Sequence, residues 1–98
     1  MNTDDINWNA LQHVYCRDAL RRYIEHGIQP GGFLTAVLSN DLREACARAD
    51  AMNRHLLFDY VQFLYNEAPG GCWGSPEVVD AWISHGGLTG LQRHLEAV

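Results

Sequence analysis

Lysine is missing from this chain altogether. All seven basic residues are arginine, set against twelve aspartates and glutamates for a formal net charge of −5. An acidic chain repels nucleic acid as a whole, because duplex affinity depends on neutralising phosphates. The imbalance is too small, and too mixed with arginine, for a DNA mimic; its main implication is solubility. Long apolar runs are missing too. The longest candidate, Phe33 to Leu38, falls far short of the ~20 residues that span a bilayer. The first residues, Met1-Asn2-Thr3-Asp4-Asp5, are acidic where an export signal is basic, so a cytoplasmic setting is expected. Cysteine is scarce and unmatched: Cys16, Cys46 and Cys72 are odd in number and lack metal-ligand spacing, which reads as free thiols in a reducing compartment. Cys16 and Cys46 fall on apolar helix faces, where a thiol packs as a small hydrophobe. Cys72, in a glycine-rich loop, is expected to be the reactive one.

No stretch alternates apolar and polar residues with a period of two, and there is no internal repeat or low-complexity segment, so strands are not expected. What is present is helical periodicity. The 98 residues have room for one core, and 47% hydrophobic against 19% charged residues fits a folded domain. The expectation is an all-α, compact single-domain bundle of four to five helices, including one long central helix.

The first helix is expected to start near Asp5 or Asn7. Its stripe is Trp8, Leu11, Tyr15, Cys16, Ala19, Leu20, Tyr23 and Ile24, with spacings of three and four, and it carries the pairs Arg21–Glu25 and Asp18–Arg22. Gly27 ends it, with Ile28 closing on Tyr23. Pro30 suits the first turn of a short helix over 31–38, and Ser39-Asn40-Asp41 reads as a turn. Asp41 with Glu44 has capping-box spacing for the long helix, which runs towards Ala68. Its stripe is Leu42, Ala45, Cys46, Ala49, Met52, Leu56, Leu57, Tyr60, Phe63 and Leu64, with a kink or break expected around Met52-Asn53 and a stop at Pro69. Ser75-Pro76-Glu77 opens the next helix, which carries Val78, Val79, Trp82 and Ile83 to Gly86. Thr89 with Gln92 suggests a cap for a last short helix bearing Leu91 and Leu95.

Chemistry-bearing constellations are few. His13 and Cys16 are three apart, but nothing supplies further metal ligands at recognisable spacing. His55 and Asp59 resemble an oriented base without a nucleophile beside it. No nucleophile elbow, phosphate loop or dinucleotide fingerprint occurs. Neither catalysis nor a cofactor or metal is expected. The segment 31–50 has a helix-turn-helix outline with Arg43 and Arg48 on its second helix. Against that reading, the helix also carries Asp41, Glu44 and Asp50 and is longer than a recognition helix. Trp73, in a glycine-flanked loop, is either an exposed interface anchor or a plug folded back between two helices. Asp50 and Asn53 border the apolar stripe of the long helix, where they can bond buried groups.

The strings Arg22-Tyr23-Ile24-Glu25-His26-Gly27-Ile28-Gln29-Pro30-Gly31-Gly32-Phe33-Leu34, Ala36-Val37-Leu38-Ser39-Asn40-Asp41-Leu42, Arg48-Ala49-Asp50, Leu64-Tyr65-Asn66-Glu67-Ala68-Pro69 and Cys72-Trp73-Gly74-Ser75, with Trp82, resemble a family of small helical proteins of phages and prophages of GC-rich bacteria. The resemblance covers about Arg22 to Trp82 and carries no established activity. It implies context: small phage accessory proteins commonly act by stoichiometric binding to host machinery. The expectation is a non-enzymatic protein that binds a host protein, most sharply an anti-defence (anti-CRISPR-like) inhibitor. Arg48, Asp50, Asn53, Asn66, Glu67 and Trp73 are the candidate partner-binding residues. The alternatives are a DNA-binding regulator built on 31–50 and a small homo-oligomer sharing Trp8, Tyr15, Trp73 and Trp82 across a dimer.

Overall fold

An aspartate, not a glycine or a proline, sets the course of the middle of this chain. In the computed structural model, which describes residues 5–11 and 16–97 with side chains through Arg93, the expected long helix over 42–68 is two helices. Ala49 and Asp50 are both extended, with ψ of 127° and −179°. The Asp50 carboxylate accepts the Asn53 backbone N–H at 2.8 Å and starts a new helix. A capping carboxylate there is worth about 1 kcal/mol, more than the helix propensity that Ala47 and Ala49 lend to continuing. The break therefore falls at Ala49-Asp50, ahead of the expected Met52-Asn53.

The described residues accordingly hold six α-helices instead of four to five: α1 Arg17–His26, α2 Gly32–Leu38, α3 Leu42–Arg48, α4 Ala51–Asn66, α5 Pro76–His85 and α6 Gly87–Ala97. Short 3-10 turns occupy Trp8–Leu11 and Gly70–Cys72. No strand occurs among the described residues. No helix there is long and apolar enough to cross a membrane.

Several local signals act as their chemistry requires. Asp41 caps α3 through the Glu44 N–H at 3.1 Å, and Asn40 adopts the left-handed conformation with φ 61°. Ser75 Oγ accepts the Val78 N–H at 3.2 Å, with Pro76 in the first position of α5. Gly27 and Gly86 end α1 and α5 in the left-handed region. Other expectations need correction. Among the described residues α1 begins at Arg17, and Trp8 sits in a 3-10 turn; His13 and Tyr15 lie outside the described residues, as does the Leu95 side chain. Pro30 precedes the α2 cap and instead offers its carbonyl to Thr35 Oγ1 at 3.2 Å. Ile28 is 51% exposed: the single bond from Gly27 N–H to the Tyr23 carbonyl, 2.8 Å, closes α1 without an apolar clasp. Arg21–Glu25 is paired, whereas Asp18–Arg22 is not among the ion pairs of the described residues. Thr89 does not cap α6, which has already begun at Gly87; its Oγ1 lies 3.2 Å from His26 Nδ1 across the α1–α6 contact.

Tyr23 organises the core. Its hydroxyl donates to the Cys72 carbonyl at 2.7 Å, and its own carbonyl accepts from Trp82 Nε1 at 3.0 Å, so one α1 residue ties down both the 70–72 turn and α5. Around it lie Leu11, Leu20, Ile24, Leu38, Tyr60, Leu64 and Leu88, all fully buried. α6 reaches α1 backbone to backbone. A Cβ on Gly87, whose φ is +66°, would stand 2.6 Å from Gly27 N and 2.7 Å from His26 N, so this crossing admits glycine alone. α2 packs against α3 and α5, while α4, which contributes Tyr60, Phe63 and Leu64 to the core, meets the Trp8–Leu11 turn. There Trp8 stacks on Phe63 at 5.7 Å, with the Arg21 guanidinium 4.9 Å from the indole. Trp82 is thus a core residue, which removes it as an aromatic shared across a dimer, while Trp8 is half-buried.

Candidate functional site

The six candidate residues fall in three places. Arg48, Asp50 and Asn53 meet at the α3–α4 break, in a cleft of about 260 Å³ shared with Cys16, Gly31, Gly32, Phe33 and Leu34. Each has a structural engagement there. Arg48 Nε donates to Glu44 at 3.0 Å, and its side chain lies across Gly32, where a Cβ would meet it at 2.9 Å. Asp50 is the cap of α4. Asn53 is 5% exposed: its Oδ1 accepts the Tyr60 hydroxyl at 2.9 Å, and Nδ2 faces Cys16 Sγ at 3.8 Å. The Tyr60 hydroxyl oxygen in turn accepts the Cys16 backbone N–H at 3.1 Å. This relay pins the start of α1 to α4.

Asn66 and Glu67 lie at the other end of α4, in a polar cleft of about 130 Å³ with Asp59, Gln62 and Ala10. His55 and Asp59 are both exposed on that helix, and neither shares a cleft with a nucleophile.

Trp73 occupies the third place. The loop that carries it is fastened on both sides. The Cys72 carbonyl is held by Tyr23, and the Gly74 N–H donates to the Leu38 carbonyl at 2.8 Å. Between these two pins Trp73 is extended, and Gly74, at φ +134°, turns the chain into the Ser75 cap. The indole is half-buried against the core and forms one wall of an apolar groove of about 130 Å³, completed by Val37, Leu42, Ala45, Leu57 and Val61. Asn40 and Asp41 form its polar rim. Leu42, in the first turn of α3, stands 65% exposed at this groove.

Sequence reasoning passed over the most exposed large apolar side chains. Leu42 was assigned to a buried stripe, and Phe58 and Tyr65, 68% and 80% exposed, to no stripe at all. The available signal was their position: two aromatics seven apart, off the buried face of an otherwise well-patterned helix. The helix break also carries Met52 off the buried face, because the angular phase restarts at Asp50; Cys46, on α3 ahead of the break, is exposed beside the buried Ala45. Cys46 is the exposed thiol and Cys72 the buried one, the reverse of the expected order of reactivity.

The groups driven from their ordinary ionisation are Tyr23, Tyr60 and Cys72, all upward. Burial is the main cause for each, and it pushes the Cys72 thiol up to about 12. For Tyr23 the neighbouring Cys72 and Asp80 add to it; for Tyr60 the Cys16 thiol adds to it, while the Cys16 backbone N–H acts in the opposite direction. All three are neutral at physiological pH and serve as hydrogen-bonding or packing groups. Among the described residues no three His, Cys, Asp or Glu side chains are grouped to hold a metal ion.

The helix-turn-helix outline changes character. α2 and α3 do pack as a short pair, and α3 ends at Arg48, so excess length no longer counts against it. The charge does: Arg48 is engaged by Glu44 and Asp41 caps the helix, leaving Arg43 as the one arginine of α3 without an ion pair among the described residues. No protein-family model, curated protein or solved structure matches the chain.

Proposed function

We propose that this protein acts by binding another protein, without catalysis, at the groove walled by Trp73. The observation that carries the reading is the meeting of Leu42, Val37, Leu57, Val61 and Trp73 at one surface, rimmed by Asn40 and Asp41. Interfaces have this composition, an aromatic or aliphatic anchor region desolvated inside a polar margin. The anchored loop supports it further, since a pre-positioned indole loses little conformational freedom on binding.

The resemblance to small phage and prophage proteins supplies the partner's class: a protein of the bacterial host, met in its cytoplasm. Inhibition of a defence system, in the manner of an anti-CRISPR protein, is the sharpest form of the proposal. The test is a pull-down from GC-rich host lysates with quantitative mass spectrometry, comparing the native chain with Leu42→Asp, altered at a 65% exposed position and checked for native helicity by circular dichroism. A host protein retained by the native chain and lost from the variant supports the reading. Equal retention by both, or none by either, counts against it. The DNA-binding alternative rests on the α2–α3 pair with Arg43. It requires a salt-dependent mobility shift of duplex DNA at micromolar protein.

A further inference from the structure

α4 carries two apolar stripes: one is buried inside the molecule, and of the other only Val61, at its edge, is packed against the core. The inner stripe, Asn53, Tyr60, Phe63 and Leu64, is buried. The outer one is Ala51, Arg54, Phe58, Val61 and Tyr65, spaced three, four, three and four. That is the a/d seam of a coiled coil, in which residues repeat every 3.5 positions. Its two aromatics are among the most exposed large apolar side chains described. No carboxylate lies on it, and Arg54, in its midst, makes no ion pair among the described residues.

We propose that this seam pairs with the same seam of a second copy, the two α4 helices running antiparallel about a two-fold axis between Phe58 and Val61. The seam is complementary to itself in that arrangement. Phe58 of each copy faces Val61 of the other, and Arg54 of each faces Tyr65 of the other, where the guanidinium meets an aromatic face. The two Arg54 charges then stand about 16 Å apart along the axis, beyond the ~8 Å screening length at physiological salt. A parallel pairing stacks Arg54 on Arg54 and is disfavoured by that repulsion.

The area sets the strength. Covering Phe58 and Tyr65 at their observed exposure removes about 300 Å² per copy from water, taking roughly 200 Å² for a whole aromatic side chain. With Ala51, Arg54 and Val61 the total over both copies reaches about 1,000 Å², the lower limit for a specific interface. An interface at that limit belongs to a weak, transient dimer. Leu42, Val37 and Trp73 lie off the seam, and Val61 alone borders both it and the Trp73 groove, so Phe58 and Tyr65 variants test self-association without altering the groove.

Sedimentation equilibrium from 5 μM to 1 mM tests the pairing. The native chain moves from 11.0 kDa towards twice that mass over the range. Tyr65→Arg, which sets arginine against Arg54, stays monomeric. Tyr65→Arg combined with Arg54→Glu restores the dimer, because only the antiparallel register brings these two positions together. Phe58→Ser weakens association at least tenfold without touching charge. Circular dichroism confirms the fold of each variant, all of them altered at exposed positions. A native chain monomeric at 1 mM, a Tyr65→Arg variant that dimerises like the native chain, or a double variant that fails to recover association overturns the proposal.

Discussion

Replacing Asn53 by leucine removes an acceptor from the α1–α4 relay while keeping the space filled. The Tyr60 hydroxyl, buried and pointed at Asn53 Oδ1 from 2.9 Å, loses its acceptor, and leucine keeps water from taking its place. The relay bond is worth about 1 kcal/mol net, and a buried hydroxyl left unsatisfied costs about 1–3 kcal/mol more. Asn53→Leu is thus expected to cost roughly 3 kcal/mol of a total near 5–15 kcal/mol, lowering Tm by roughly 12–24 °C for a domain of this size. Tyr60→Phe costs a similar amount, because Cys16 N–H and Asn53 Oδ1 both lose a partner. The double variant leaves neither side chain unsatisfied, so its cost falls below the sum of the single ones by about 1–2 kcal/mol. Urea denaturation of the four proteins, followed by circular dichroism, measures the cycle. Strict additivity, or an Asn53→Leu protein within 0.5 kcal/mol of the native chain, would refute the relay as a structural device (roughly the error of such additivity).

Further outcomes follow from other contacts. Gly87→Ala combines a left-handed φ with a Cβ pressed on immovable α1 backbone and is expected to cost about 3 kcal/mol or more, whereas Gly71→Ala, with open space around it, stays within about 0.5 kcal/mol; thermal melts distinguish them. Brief alkylation of the native protein followed by peptide mass mapping is expected to label Cys46 first and leave Cys72 unmodified until denaturant is added; early labelling of Cys72 refutes its burial. Stability should fall in alkali. The Cys72 thiol, near 9.0 when unfolded and about 12 when folded, stays protonated only in the native state between those values, so its contribution is intact below pH 9 and drains away as the pH rises towards 12. The loss amounts to about 1.4 kcal/mol by pH 10 from this group alone, with Tyr23 and Tyr60 acting in the same direction. Denaturant midpoints unchanged between pH 8 and 10.5 refute it.

The helical class, the left-handed Asn40 and the ends at Gly27, Asp41, Ser75 and Gly86 were legible because each rests on chemistry within four or five residues. The break at Ala49-Asp50 was harder to see. Two readings of Arg48-Ala49-Asp50 compete, an uninterrupted alanine-rich helix and a new N-terminus at aspartate, and local propensity separates them by little more than one capping bond. What decides is tertiary. A helix started afresh at Asp50 brings Asn53 under Tyr60 and Cys16, so the relay and the break stabilise each other. No window of sequence contains both ends of that bond, since Cys16 and Tyr60 are 44 residues apart.

The same argument explains why the candidate site was only partly legible. Polar residues beside an apolar stripe drew attention to Asp50 and Asn53, and the structure engages both in holding the chain together. Periodicity identifies the face of a helix that must be covered, but a second stripe registers as noise unless it is tested for a period of its own. Phe58 and Tyr65 belong to such a stripe. An isolated aromatic on a surface needs no explanation, because more than half of any protein's surface is apolar. Two aromatics seven residues apart, with Val61 between them and Arg54 in register, share one face of α4 and have the repeat of a helix-pairing seam. Separating the two stripes of α4 assigns the inner one to the fold and the outer one to association. Trp73, anchored between Tyr23 and Leu38, is left to define the groove for a different molecule.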